Sequence, residues 1–350
     1  MANVYWHADG GNWSDHATHW FNATDGGGGG HGAAPGADDN AIFDANSFDN
    51  PAQIVTVDAS ASCLAMTWTG ATNTPTLAGA ATLTAHGSLT FIAAMTFAHT
   101  GTINLPGTST LTTNGLDLAT ITALGISGAV TLGDALTITS ASTSHHIAIT
   151  GGTFDTGNFD VTAGAIYTYL AAAKTITLGS STITTNHWDM SGGGAVTFTA
   201  NTSTIIVLLT GVFSGFNIAT YNIVNLNGTA HTISGSNTFA ALTLKADTTQ
   251  TITFTDGTTQ TITTPTVTGS VGKVKTLTGS GAAGWTITKA GGGTVTADYL
   301  ALTYSQATPA DTWYHGDNCT VGAGVTGWLP VIKTPVADGN LIGIAVIRKS

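Results

Sequence analysis

Along most of the chain single aliphatic residues alternate with threonine, and each such run breaks after a few positions at glycine, asparagine or aspartate. Thr110-Leu111-Thr112, Thr120-Ile121-Thr122, Thr137-Ile138-Thr139, Thr182-Ile183-Thr184 and Thr286-Ile287-Thr288 share the pattern. A period of two places the aliphatic residues on one face of a pleated strand and the threonines on the other. The breaks recur at Gly79, Gly107, Gly133, Gly157, Gly179, Asn201, Gly228 and Gly257, at intervals of 22 to 29 residues. That interval suits one coil of a parallel β-helix, built from about three short strands and three corners. One coil cannot bury its inward side chains alone, but stacked coils share a core and satisfy one another's backbone hydrogen bonds. A β-sandwich also has short strands at regular spacing, but it does not call for the repeat. The expected fold is all-β, a right-handed parallel β-helix with capping segments at both ends.

Composition strengthens this reading. Hydrophobic residues make up 42% of the 350 positions, enough for a sizeable core. Charged residues are only 8%, against roughly 25% in ordinary globular proteins. All 19 acidic residues are aspartate, the first lysine is Lys174, and the single arginine is Arg348. The strong helix formers Glu, Lys and Arg are thus nearly absent, while the strand formers Thr, Val and Ile abound. A net charge of −11 with no Lys or Arg before position 174 argues against a nucleic-acid partner. No apolar run is long enough to insert into a membrane. The opening residues carry neither a basic nor an apolar leader segment, so secretory export is not expected. Cys63 and Cys319 are expected to be two small buried hydrophobes.

The ends differ from the middle. Residues 1–50 lack the repeat and hold Trp6, Trp13, Trp20, four histidines, seven aspartates and the glycine run 26–30. We read them as a cap and first coil, residues 51–304 as the solenoid, and 305–350 as a closing cap. The last segment carries Trp313, Tyr314 and Trp328, then an apolar tail at 341–347 that predicts a final strand for docking or oligomerisation. Tyr5, Trp6, Gly10, Gly11, Asn12, Trp13, Ser14, Asp15 and Trp20, followed by Pro35, Gly36, Ala37, Asp38, Asp39, Phe43 and Asp44, resemble the first coil of β-helical proteins of tailed bacteriophages. The passenger repeats of autotransporter-type adhesins are similar in pattern. Trp313 to Asn318 and Gly322 to Trp328 resemble the closing motif of the same phage proteins. The resemblance implies a virion surface protein, a tail fibre, spike or capsid decoration. It would be assembled in the host cytoplasm as a homotrimer, beside other virion proteins and with a host-surface glycan as a candidate partner. No separate virion-anchoring domain of the tailspike kind is seen at the N-terminus.

Candidate chemistry is sparse. Cleaving a glycan needs two carboxylates about 5 to 9.5 Å apart, and here both would be aspartates. Asp155 and Asp160 flank one corner, and Asp117 and Asp134 lie near successive corners. Aspartate at a corner commonly bonds its own backbone, so no catalytic function is expected, with Asp155 and Asp160 the pair to watch. A lyase would need a cation beside its acid, and none precedes Lys174. His16 and His19 near Asp15, with His7, Asp9 and His31, could offer metal ligands, but match no strong zinc spacing. Asp38, Asp39 and Asp44 could offer oxygen ligands to calcium, without the EF-hand pattern. We expect no metal and no cofactor. His145 and His146 are expected to be exposed at a corner, and 26–30 to form a flexible surface loop rather than a phosphate cradle. A flat threonine ladder could order water as an ice-binding face does, but the drifting coil length is expected to break its register. The remaining readings are a polysaccharide-depolymerising tailspike and a bacterial β-helical adhesin.

Overall fold

The computed structural model describes residues 1–332 except 141, 142, 144 and 216–219; the apolar tail at 341–347 lies outside the described residues. The chain divides into two compact units, Met1–Ser203 and Thr204–Ser350. Each is an all-β, right-handed parallel β-solenoid. Among the described residues the one α-helical element is a single turn, His16–His19, and no helix is long and apolar enough to cross a membrane.

In most coils of the first unit the chain visits three sheets. Met66–Thr67, Thr76–Gly79 and Leu83–Ala85 form one coil; Leu89–Thr90, Thr96–His99 and Ile103–Leu105 form the next. Met66 pairs with Leu89, Leu77 with Phe97 and Leu83 with Ile103, all in parallel. Inward residues therefore stack in columns. One runs Ala41, Met66, Leu89, Leu111, Leu132 and another Leu83, Ile103, Leu124, Ile147, Ile166, Trp188. Every member is buried, and each large one contributes about 1.5–3 kcal/mol by leaving water. At the N-terminal end Ala2–Trp6 pairs in parallel with Asp39–Ile42 and antiparallel with Trp20–Phe21. The short antiparallel strand covers an edge that would otherwise be open to pairing. Trp6, Trp20, Phe43 and Trp68 fill the coils below it, with Phe43 lying flat on Trp68 at 3.8 Å.

The second unit builds its first coils from two strands rather than three. Thr220–Leu226, Asn237–Leu244 and Thr259–Thr266 are seven or eight residues long. Each is followed by one strand of a second sheet: Ala230–Ser234, Gln250–Phe254 and Lys275–Gly279. One long strand thus spans the ground of two short ones. A third sheet returns only near the end, where Val295–Ala297, Trp313–His315 and Trp328–Pro330 stack. The expected three strands per coil hold in most of the first unit, where the coil of Ser109–Thr112 and Ala123–Ile126 has two, and fail in these coils.

The corner spacing also needs correcting. Gly133, Gly157, Gly179 and Asn201 each follow a strand of the same sheet and are true equivalents. Gly107, Gly228 and Gly257 lie at other corners, and Gly79 ends a strand, Thr76–Gly79. Gly79 has φ 111°, and a Cβ there would come 2.3 Å from the Val57 carbonyl oxygen, so only glycine fits this approach. Thr120 and Thr122 likewise sit at a corner, where their hydroxyls donate to the carbonyls of His99 and Thr100.

Register partners in the second unit are separated by as few as 15 residues (Trp313 and Trp328) and as many as 27 (Ile262 and Lys289). The strands nevertheless stay aligned, because the corners absorb the difference. Thr232, Thr253, Thr278 and Thr303 form one unbroken column. Uneven coil length therefore does not disrupt the threonine ladder, contrary to the sequence expectation. The Thr303 hydroxyl donates to the Thr278 hydroxyl at 2.7 Å, so part of the ladder is bonded to itself.

Buried polar groups tie corners from within. Lys174 is 2% exposed, and its ammonium donates to the carbonyls of Leu170, Ala172 and Gly193. Lys275 is fully buried and donates to the carbonyls of Lys245 and Thr248. Burial lowers the pKa of both. Gln250 caps the carbonyls of Leu226 and Gly228 in the same manner.

Candidate functional site

The aspartates singled out by sequence are engaged in holding corners. Asp155 Oδ1 accepts the Gly157 N–H at 2.9 Å, closing the expected turn on its own backbone. Asp160 Oδ1 instead accepts the Thr182 N–H of the following coil at 2.7 Å. Asp117 accepts from the Thr139 N–H, and Asp134 from the N–H groups of Thr113 and Asn114. Three of the four thus link neighbouring coils, a use that turn chemistry alone does not predict.

The first-coil histidines and aspartates are dispersed. His19 is buried against Trp6, ring on ring at 4.5 Å and 3°, and its Nδ1 lies 2.9 Å from the His7 carbonyl. It passes so close over Gly11 that a Cβ there would collide with the imidazole. His16 is exposed on the helical turn. Asp38 is exposed, while Asp39 accepts from the Gly36 N–H and faces His31 Nε2 at 3.7 Å. Asp9 receives the N–H groups of Asp49 and Asn50 and the Asn50 amide; with the Asn50 backbone bond foremost, these hold it below the usual carboxylate range. Asp44 accepts from the Asn46 N–H and the Thr24 hydroxyl. Among the described residues no group of three or more His, Cys or Asp is arranged to hold a metal ion.

The glycine run is an ordered turn in which the Asn22 amide nitrogen lies 3.2–3.3 Å from the carbonyls of Gly28, Gly29 and Gly30. Both cysteines are free thiols. Cys63 is fully buried, which pushes its pKa up to about 12. Cys319 is only half-buried and accepts the Leu300 N–H, correcting the expectation of a second fully buried thiol.

The strongest surface constellation was not flagged by the sequence. Among the described residues only two aromatic side chains are exposed, Phe159 and Tyr169. Tyr169 belongs to a cluster assembled from three successive coils of the first unit. Its ring lies 5.6 Å from that of Tyr167 at 47°, and Tyr167 lies 5.1 Å from His187. His146 meets Tyr167 edge-on at 5.4 Å and Tyr169 at 6.5 Å. His145 and His146 are both half-buried, not exposed as expected, and His145 Nδ1 lies 2.5 Å from the Ile121 carbonyl.

Register explains the convergence. Ala148, Tyr167 and Asp189 occupy one column on consecutive coils. Small Ala148 leaves room for the Tyr167 ring, and Asp189 follows it in the column. Burial would raise the pKa of Asp189, but the imidazole of His187 beside it and the Ser191 hydroxyl and N–H outweigh that effect and hold it at about 2. Tyr167 is shifted the other way, mainly by burial and further by the neighbouring Tyr169 and Asp189. The result is a partly exposed aromatic surface edged by a carboxylate held below the usual range and a ring nitrogen. Leu170, 67% exposed, extends its apolar side.

The second unit carries a shallow cavity of about 210 Å³ lined by Thr210, Gly211, Val212, Ala230, His231 and Thr232, among others. Gly211 and His231 are register partners on its floor. Its open mouth holds no charged side chain. No protein family model, curated protein or solved structure matches the chain.

Proposed function

We propose that the chain is a non-enzymatic element displayed on the surface of a tailed-phage particle, as a fibre, spike or capsid decoration, and that it forms a homotrimer. What carries the non-enzymatic part is the engagement of Asp117, Asp134, Asp155 and Asp160, each of which accepts backbone N–H groups at a corner. A carboxylate fixed in this way serves as a fastener and gains nothing from a neighbour with which to share a proton. The stacked coils offer a stiff wall, and copies held together on a particle would add weak contacts into tight attachment. The phage context rests on the resemblance of the two ends of the chain.

Incubating the purified protein with the capsular or O-antigen polysaccharide of a candidate host tests the proposal. No oligosaccharide should be released. Release that disappears in Asp155→Asn or Asp160→Asn would replace the proposal with a depolymerising tailspike. Immuno-gold labelling should place the chain on phage particles; labelling of phage-free bacteria would favour an adhesin.

A further inference from the structure

We infer that the Tyr167, Tyr169, Leu170, His187 and Asp189 cluster is a saccharide-binding site, taking a neutral pyranose ring on the exposed face of Tyr169. The inference rests on the display reading above, to which it adds a place and a ligand class.

The argument begins with what the rest of the wall looks like. Outward strand positions are mostly threonine, serine or alanine, and most of the other large aromatics, all eight tryptophans among them, are packed into the core. Two tyrosines at consecutive outward positions, 167 and 169, break that rule, and stability does not demand it. Tyr169 leaves 44% of its surface in water, so its ring is not there to fill the core. An exposed ring offers a flat, polarisable face to the C–H side of a sugar, while the hydroxyls at the rim of the sugar need acceptors and donors. Asp189 supplies an ionised acceptor at any physiological pH, and His187 stands beside it at 3.9 Å. The Ser191 hydroxyl, which already donates to Asp189, offers its lone pairs on the same rim, and the Tyr167 hydroxyl adds a donor.

The arrangement favours a sugar over a cation. Tyr167 and Tyr169 touch each other at 47° rather than standing apart as walls, so they leave no slot for an ammonium group between them. The most exposed part of the cluster is Tyr169 with Leu170 next to it, an apolar surface that suits a ring laid flat.

The test uses the full-length protein and biosensor surfaces bearing hexasaccharides of glucose, galactose and mannose, with a choline-bearing surface as a further arm. The wild type should be retained by at least one sugar surface and not by choline. Tyr169→Ala and Asp189→Asn should each weaken that retention about tenfold or more, and Tyr169→Trp should preserve it. Because Tyr169 is exposed, circular dichroism should show Tyr169→Ala folded as the wild type. Retention unaffected by Tyr169→Ala and Asp189→Asn would overturn the site. Retention by none of the three sugars, or by choline alone, would overturn the ligand class. Neither result would alter where the protein sits on a particle, which the immuno-gold experiment reads independently.

Discussion

The two units solve the same stacking problem with different materials. The first uses strands of two to five residues, three to most coils, and fills its N-terminal coils with Trp6, Trp20, Phe43 and Trp68. The second runs one strand in each of three coils to seven or eight residues and places amides and a lysine inside, including Asn237, Gln250, Gln260 and Lys275. Asn237 donates to Gln260 Oε1 at 2.9 Å, and Gln260 in turn donates to the Gly235 carbonyl. Short strands leave many corners, and aromatic mass fills the space behind them. Long strands leave fewer corners, and bonded polar groups pin the backbone where it bends. Rigidity is thus reached once by packing and once by polar satisfaction.

That contrast can be broken from either side. The largest effect is expected from Trp68→Ala, which removes the plate on which Phe43 lies and should cost about 3–5 kcal/mol. Limited proteolysis should then open the first unit before the second. Next, Lys275→Met leaves the carbonyls of Lys245 and Thr248 without their donor and should cost about 3 kcal/mol, read by thermal unfolding. Lys174→Met should act similarly in the first unit, which would show how far that unit also relies on polar fastening.

Acid should come third. Burial lowers His231 from its ordinary value near 6.5 to about 4. The unfolded chain therefore binds this proton more readily than the folded one. The stabilisation is complete above pH 6.5 and is lost as pH falls toward 4, amounting to about 3 kcal/mol. Burial lowers His99 in the first unit as well, and it acts in the same direction. Denaturant titrations at pH 7, 5 and 4 should show the loss, and His231→Leu should flatten the slope for the second unit. Asp189, held at about 2, works in a separate window. Its contribution is present above the ordinary carboxylate range and fades only as pH falls from about 3.8 toward 2. The smallest effect is expected from Asp155→Asn, which keeps an oxygen acceptor for the Gly157 N–H and should cost about 0.5–1 kcal/mol.

How much of this was legible in the sequence varied with the kind of physics involved. Alternation named inward residues such as Leu111, Ile183 and Ile287 correctly, because side-chain direction on a strand follows from parity alone. Corner glycines and aspartates were visible too, but not which coil their side chains would reach. Asp160 finds Thr182 only once the pitch of the stack is set. The two-strand coils were hidden because a bent eight-residue strand reads like two short ones. The aromatic cluster did leave a signal. Tyr167 and Tyr169 stand at outward parity where threonine is the rule, and Asp189 lies one coil later. Reading the outward positions across successive coils would have found it.

The corners that swallow length differences have one more consequence. Gly272 has open space where a side chain would be, and the coil that contains it is already longer than its neighbours. A wall whose alignment is indifferent to what its corners carry can accept new segments without redesign. Natural variation in such a molecule is therefore free to accumulate at the bends, where novelty costs the least, while the flat sides keep their order.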